Sequence, residues 1–440
     1  MTANILDRAF TMTTSSSDII RELESRYGNP IYNTSYPLNC CDWKSYQKPG
    51  SLPFNLSESI AFYIHIPFCR QLCSFCEYTR MCLPSVSDQL KYIKTLRKDV
   101  FQFIKDYPRF KLYGFDIGGG TPTALEPPAF EALMDIYRDV TTLMEKTSDF
   151  EPSIEGTFET LTEEKCQIIA DAGIKRISLG LQSTNPKVLA PLNRHSSRIS
   201  RMAAVMEYAY KAGIQKINLD LMYGLPRQTL ESIKNDILTL KELNLEQVTL
   251  YELRTNQLST DYQIDSELCY QQYYRLFDEL TELGYIGEFG QNTFSRNAED
   301  KGLSSYLRYR MFEGKQYKGF GISAQSMSEF GLSYNKGKNL DYLTRILDET
   351  TFESYNYYAL PPKEVFSKFI AISGYSGGFS LDTCRRLYGN DFDRDFHDMI
   401  ETLENNQLIN LNGDRLQLTK KGFQNYGSIL SMFSLKQKEF

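Results

Sequence analysis

The sequence predicts an α/β protein: a partial (β/α)6 barrel with an N-terminal extension and a small C-terminal helical, winged-helix-like domain. Three observations carry this. Short apolar, β-branched runs alternate six times with longer amphipathic stretches, the pattern of βαβ units on a parallel sheet. Polar residues recur at the C-terminal ends of those runs, where parallel barrels gather their active sites. Beyond about Asp341 the alternation gives way to helical segments and one hairpin signal.

The predicted strands are Ile60–Ile66, Tyr113–Gly118, Ser153–Thr157, Arg176–Leu181, Lys216–Leu221 and Gln247–Glu252. Apolar residues at helical spacing place helices over Asp88–Lys105, Pro128–Glu145, Thr162–Asp171, Ser200–Lys211, Leu230–Leu243 and Asp265–Leu283. Six such units fit a partly open barrel better than a complete eight-stranded one. Further helices are expected over Pro362–Ile372, Leu381–Leu387 and Asp393–Asn405, followed by a hairpin turned at Asn412-Gly413 and a last helix. The organisation expected is therefore an extension over the barrel mouth (1–55), a core barrel (56–300) and a C-terminal substrate-covering domain (301–440).

The 440 residues, 41% hydrophobic and 24% charged, have ordinary globular composition. A formal charge of -6 without a basic cluster argues against a nucleic-acid partner. No apolar run approaches the ~18–20 residues that cross a bilayer. Met1–Ser17 has no apolar signal core. Nine cysteines, an odd number, fit a reducing compartment rather than a disulfide framework. The expectation is a cytoplasmic monomer with no membrane partner. Cys166 and Cys269 fall in helical patterns and read as packing residues, as do the adjacent Cys40 and Cys41.

Three cysteines stand apart. Cys69, Cys73 and Cys76 follow the first strand with C-x3-C-x2-C spacing. Zinc takes four ligands, usually as two pairs. A [4Fe–4S] cluster is held by thiolates, normally four. Three grouped thiolates without a matching fourth hold a cluster with one open iron, the mark of a reactive rather than a storage site. Cys82 is the only nearby spare. The run Gly118-Gly119-Gly120-Thr121-Pro122 follows the second strand and offers bare backbone N–H and C=O groups to a small zwitterion. Glu155, Gln182 and Asp220 stand at the ends of the next three strands.

The run from His65 to Cys76, with Gly118–Thr123, Ser178–Ser183, Leu192-Asn193-Arg194 and Asn218–Pro226, resembles the signature of radical S-adenosylmethionine (SAM) enzymes. The set and order of motifs are similar to the oxygen-independent coproporphyrinogen III dehydrogenase group. So are the leader Arg26–Pro37 and Leu418-Thr419-Lys420-Lys421-Gly422. The resemblance implies a [4Fe–4S] cluster on Cys69, Cys73 and Cys76, with SAM chelating the open iron. It implies reductive cleavage of SAM to a 5′-deoxyadenosyl radical, fed by a flavodoxin- or ferredoxin-like donor. Gly119, Gly120 and Thr121 would hold the methionyl end. Phe75 would lie near the adenine and Tyr63 near the cluster. Glu155 would take an ammonium or ribose contact, and Gln182 and Asp220 the ribose hydroxyls. Arg194 would pair with the methionyl carboxylate, to which a planar guanidinium is suited. Gln325, in the segment Gly319–Ser326, would lie near the adenosyl group.

Two departures bear on the reaction. The group typically closes its triad with Cys-Gly-Cys, where this chain has Cys76-Glu77-Tyr78. The leader has Ile31 where the family has arginine. Three activities stay open: oxidative decarboxylation of coproporphyrinogen, a C-methyltransferase using two SAM on a tetrapyrrole or natural product, and a non-enzymatic haem chaperone. The chaperone subgroup usually carries a C-terminal His-Asn-x-x-Tyr-Trp motif. Here the sole tryptophan is Trp43. A substrate with several carboxylates would want arginines at the mouth, and Arg254 and Arg296 are the candidates.

Overall fold

The computed structural model describes residues 15–26, 40–253, 265–337 and 345–433. Six strands run parallel and side by side in chain order: β1 (Ile60–Ile66), β2 (Leu112–Gly119), β3 (Ser153–Gly156), β4 (Arg176–Gln182), β5 (Lys216–Tyr223) and β6 (Gln247–Glu252). Helices follow them in turn: α1 (Val86–Asp106), α2 (Pro127–Leu143), α3 (Glu163–Asp171), α4 (Ile199–Ala212), α5 (Leu230–Leu243) and α6 (Ser266–Glu282). Their starts are set by short polar caps. Ser85 and Thr162 accept from the backbone N–H three residues on, and Thr229 and Ser232 form a reciprocal capping box. The α/β barrel expectation holds, and each predicted strand and helix of the barrel lies within two residues of its observed bounds.

The sheet extends beyond the six-stranded core at both edges. β7 (Thr293–Ser295) pairs antiparallel with β6. On the other side β8 (Tyr317–Phe320) pairs parallel with β1. It leads through β9 (Gln325–Ser328), β10 (Gly331–Tyr334) and β11 (Asn356–Tyr358) to the short strand Gln47–Pro49. The result among the described residues is one open twelve-stranded sheet with β7 and Gln47–Pro49 as its ends. It runs past residue 300, the boundary expected between core and cover. Gly319 and Phe320, which open the segment Gly319–Ser326, end a strand.

Side chains alternate across each strand. Phe62, Ile64, Phe115, Ile154, Ile177, Leu219 and Val248 are fully buried in the apolar core. Helix α7 (Ser305–Phe312) crosses the opposite, inner face of the sheet. It can approach because β2 carries Gly114, where a Cβ would stand 2.5 Å from the Tyr306 backbone nitrogen. Ser304 caps α7 and donates its hydroxyl to Asp116 Oδ2 at 2.6 Å.

Three helices, α8 (Pro362–Ser373), α9 (Leu381–Tyr388) and α10 (Phe392–Asn405), and a three-stranded sheet form the C-terminal unit. Its hairpin Ile409–Leu418 turns at Gly413 with φ +59, as the Asn412-Gly413 signal predicts. Of the extension expected over the barrel mouth, the described part lies elsewhere. Helix Ser16–Ser25 buries Ile19 and Leu23 and packs on α10 and on Tyr426–Met432, and Gln47–Pro49 edges the sheet. The leader motif from Tyr27 to Pro37 lies outside the described residues, as does Arg254. No helix among the described residues is long and apolar enough to cross a membrane.

Candidate active site

The inner face of the barrel is polar, and the two-residue period of its strands makes it so. Tyr63 and His65 point inward from β1, Asp116 from β2, Ser153 and Glu155 from β3, Arg176 and Ser178 from β4, Asn218 and Asp220 from β5, and Thr249 and Tyr251 from β6. Barrels of this kind commonly fill their interior with branched aliphatic side chains. Here the same positions enclose a cavity of about 370 Å³, a size within the range of small-molecule sites. α7 closes one side with Tyr306 and Arg310, and the C-terminal unit contributes Ile372 and Tyr375.

The cavity floor is a hydrogen-bonded lattice. Arg176 donates to Ser153 Oγ at 2.8 Å, Gln247 Oε1 at 2.9 Å and the Gly302 carbonyl at 3.1 Å. Asn218 Nδ2 donates to Ser178 Oγ and Asp220 Oδ1, both at 2.8 Å, and its Oδ1 accepts from Thr249. Three carboxylates share this space. Burial pushes Asp116 up to about 7 against the opposing Ser304 hydrogen bond. Burial, then the charge of Asp220, pushes Glu155 up to about 8. Asp220 rises to about 6 through burial, moderated by Arg176, Asn218 and Ser178.

The cysteines leave β1 in a loop closed by a two-stranded ribbon, Phe68-Cys69 beside Met81-Cys82. Cys69 and Cys73 are buried, Cys76 half-buried and Cys82 exposed. Cys69 lies near enough to feel the charge of Cys73 and Cys76, and Cys76 that of Cys73. Among the described residues no three His, Cys, Asp or Glu side chains converge on a point for a single ion. Thr121 Oγ1 lies 3.7 Å from Cys69 Sγ. A Cβ at Gly120 would stand 2.9 Å from that sulfur, so glycine keeps its flank clear. The soft, grouped, half-shielded thiols fit an iron–sulfur cluster.

Other expected residues fall into two groups. Tyr63, Gly119, Glu155, Asp220 and Gln325 line the cavity. Gly119, at φ +115, donates its N–H to Glu155 Oε2 at 3.1 Å. The Glu155 carboxylate lies over Gly118, where a Cβ would meet it at 2.5 Å. The rest gather at the triad. Arg194 Nη1 reaches Cys73 Sγ at 3.8 Å. Phe75 packs with Leu189, Leu192 and Met222, and Asn193 donates to the Leu72 carbonyl. Gln182, at φ +70, sits at a bulge of β4 on the same side. Gln325 is held by Tyr317 and Tyr334. His65 is buried, and burial lowers it to about 4. Its Nε2 donates to the Thr79 carbonyl at 2.8 Å, which opposes that lowering. Arg296 stacks over Tyr285 at 4.7 Å, and is not among the cavity-lining residues.

Sequence reasoning passed over Arg80. Its guanidinium donates to the carbonyls of Cys73 (2.7 Å) and Cys76 (2.6 Å) and so fixes the loop between two expected ligands. Nothing in the sequence sets this arginine apart from surface ones. Arg80→Ala should lower iron bound after reconstitution by roughly 10–100 fold at limiting iron, as loss of a ligand-orienting contact does. Iron and sulfide analysis checks this, with circular dichroism confirming the fold; undiminished loading would show that the loop holds its shape alone.

Two family models match parts of the chain. Residues 63–240 match the model of the radical SAM superfamily, and residues 376–424 that of the HemN C-terminal domain. Over 401 residues the chain is 27% identical to "Heme chaperone HemW" of Lactococcus lactis, covering 88% of this chain and 100% of the relative. It is 28% identical over 292 residues to "Oxygen-independent coproporphyrinogen III oxidase" of Bradyrhizobium diazoefficiens, covering 62% and 63%. The solved structure of coproporphyrinogen III oxidase (HemN) from Escherichia coli superposes with a TM-score of 0.70 at 21% identity, covering 86% of this chain and 91% of that one.

Proposed function

From the premise that this chain carries a radical SAM domain at 63–240 and a HemN C-terminal domain at 376–424, we propose an enzyme that cleaves SAM reductively and oxidises a tetrapyrrole, in the manner of an oxygen-independent coproporphyrinogen III dehydrogenase. When bound, the cluster and SAM together supply one-electron cleavage of the sulfonium and, through it, hydrogen-atom abstraction. Cys69, Cys73 and Cys76 would hold the cluster. Arg194 and the bare backbone of Gly119 and Gly120 would orient the methionyl end, and Glu155 and Asp220 its polar groups. Burial beneath α7 and the C-terminal unit excludes water that would quench a reactive species. The C-terminal unit acts as a substrate cover, and a small flavodoxin- or ferredoxin-like protein would supply the electron.

One observation carries the reading: the barrel interior is a polar cavity beside the cysteine loop. A protein that only carried electrons would have no use for it. Anaerobic incubation of the reconstituted protein with SAM, dithionite and coproporphyrinogen III tests it. Mass spectrometry should show loss of CO2 with 5′-deoxyadenosine formed. Gain of a one-carbon unit with S-adenosylhomocysteine would replace decarboxylation by methyl transfer. Glu77 and Tyr78, where the chain leaves the family pattern, line the same cavity.

The relatives named as haem chaperones favour a second reading, haem binding. Titration with haem followed by visible spectroscopy decides it. Absence of a bound-haem spectrum removes it.

A further inference from the structure

Arg310 is 8% exposed and faces the cavity from α7. Buried guanidinium groups ordinarily meet a carboxylate, because an unpaired buried charge costs several kcal/mol. Arg310 meets none among the described residues. Its Nη1 donates to Tyr306 Oη at 2.8 Å and its Nη2 reaches Gln325 Oε1 at 3.5 Å. Its Nε has no hydrogen-bond partner. The rings of Tyr317 and Tyr306 lie 4.6 and 5.5 Å from the guanidinium carbon and fix its plane.

Three of the four acids that line the cavity have hydrogen-bond donors of their own. Asp116 accepts from Ser304, Glu155 from the Gly119 N–H, and Asp220 from Asn218 and Ser178. Nearby Lys318, equally buried, has its acid, Glu353, at 2.6 Å. Tyr306 Oη accepts from Arg310, and its own proton is donated to no described group. A guanidinium fixed in its plane, whose Nη1 and Nη2 each keep a second N–H beyond those given to Tyr306 and Gln325, stands beside a phenolic proton donated to no described group, and together they match the two oxygens of a carboxylate.

We propose that Arg310 and Tyr306 form a subsite that binds one carboxylate of the substrate inside the barrel. It rests on the tetrapyrrole reading above and adds to it where a side-chain acid is held. Neither Arg254 nor Arg296, the sequence-derived candidates, has this role in the proposal.

The test uses anaerobically reconstituted full-length protein and two probes, coproporphyrin III and its tetramethyl ester, with binding read by fluorescence quenching. The native protein should bind the free acid more tightly than the ester. Arg310→Met should raise Kd for the acid by roughly tenfold to a hundredfold and leave the ester's unchanged. Tyr306→Phe, which keeps the buried charge and the ring, should raise it several-fold for the acid alone, and guards against a folding failure in the first variant. If native protein prefers the acid and both variants keep that preference, the subsite is wrong and the tetrapyrrole reading stands. If native protein binds neither probe, both fall.

Discussion

Cys73→Ala should yield a folded, colourless protein that no longer cleaves SAM. Three thiolates leave a cube one open iron, and without Cys73 the triad has only two, the nearby spare standing beside Cys69 rather than at Cys73. Cys82 is exposed and lies in register with Cys69 across the ribbon. The loss should be complete in both readouts, the broad visible absorbance of the reconstituted protein and 5′-deoxyadenosine produced with dithionite. Arg194 then keeps its bond to the Gly180 carbonyl but loses the Cys73 sulfur beside it. The barrel does not depend on that thiol, so the melting temperature of the metal-free variant should stay close to that of the metal-free parent. Retained cleavage would move the cluster away from this loop.

The second large effect is one of pH. Asp116 has its pKa raised from 3.8 to about 7, so the folded protein holds a proton there that the unfolded chain releases. Stability from this group is therefore present below the unfolded value and is lost as pH rises through the folded one. At about 1.4 kcal/mol per unit, the shift amounts to as much as roughly 4 kcal/mol. Asn at this position mimics the protonated acid and can still accept from Ser304. Metal-free native protein should lose melting temperature from about pH 5 to about pH 8 more steeply than Asp116→Asn, and the variant should be the more stable of the two at the alkaline end. Parallel curves would mean that Arg176 holds Asp116 ionised throughout.

The outer framework could be read from the chain because both its signals are local. Leu230–Leu243 has its apolar spacing and its Thr229 cap within one segment, and the observed helix has those same bounds. The triad and the glycine run were legible for the same reason. The interior was harder. Arg176, Ser178, Asn218 and Thr249 are polar residues in strands that otherwise read as buried apolar runs. Their alternation with Ile177, Ile217 and Val248 is a two-residue period that marks a polar inner face, and attention to strand ends alone overlooked it. Arg310 was not legible. Its meaning depends on which side chains surround it, and Tyr306, Tyr317 and Gln325 come from three different elements, α7, β8 and β9, whose packing no local pattern announces. Strand β8 was hidden by Gly319 and Gly321, which look like a loop yet serve close packing against Gln325 and the carbonyl of His65.

The neighbours of β1 also set an order of assembly. On one side it pairs with β2, made soon after it; on the other it waits for β8, about 250 residues later in the chain. During synthesis the strand that leads into the cysteine loop is thus a bare edge, open to pairing with other chains. The same delay leaves that side of the barrel uncovered while the ribosome is still at work. The cysteine loop and the strand that finally flanks β1 are in this way made far apart in time, and β9, β10 and β11 extend the sheet only after β8 has closed that edge.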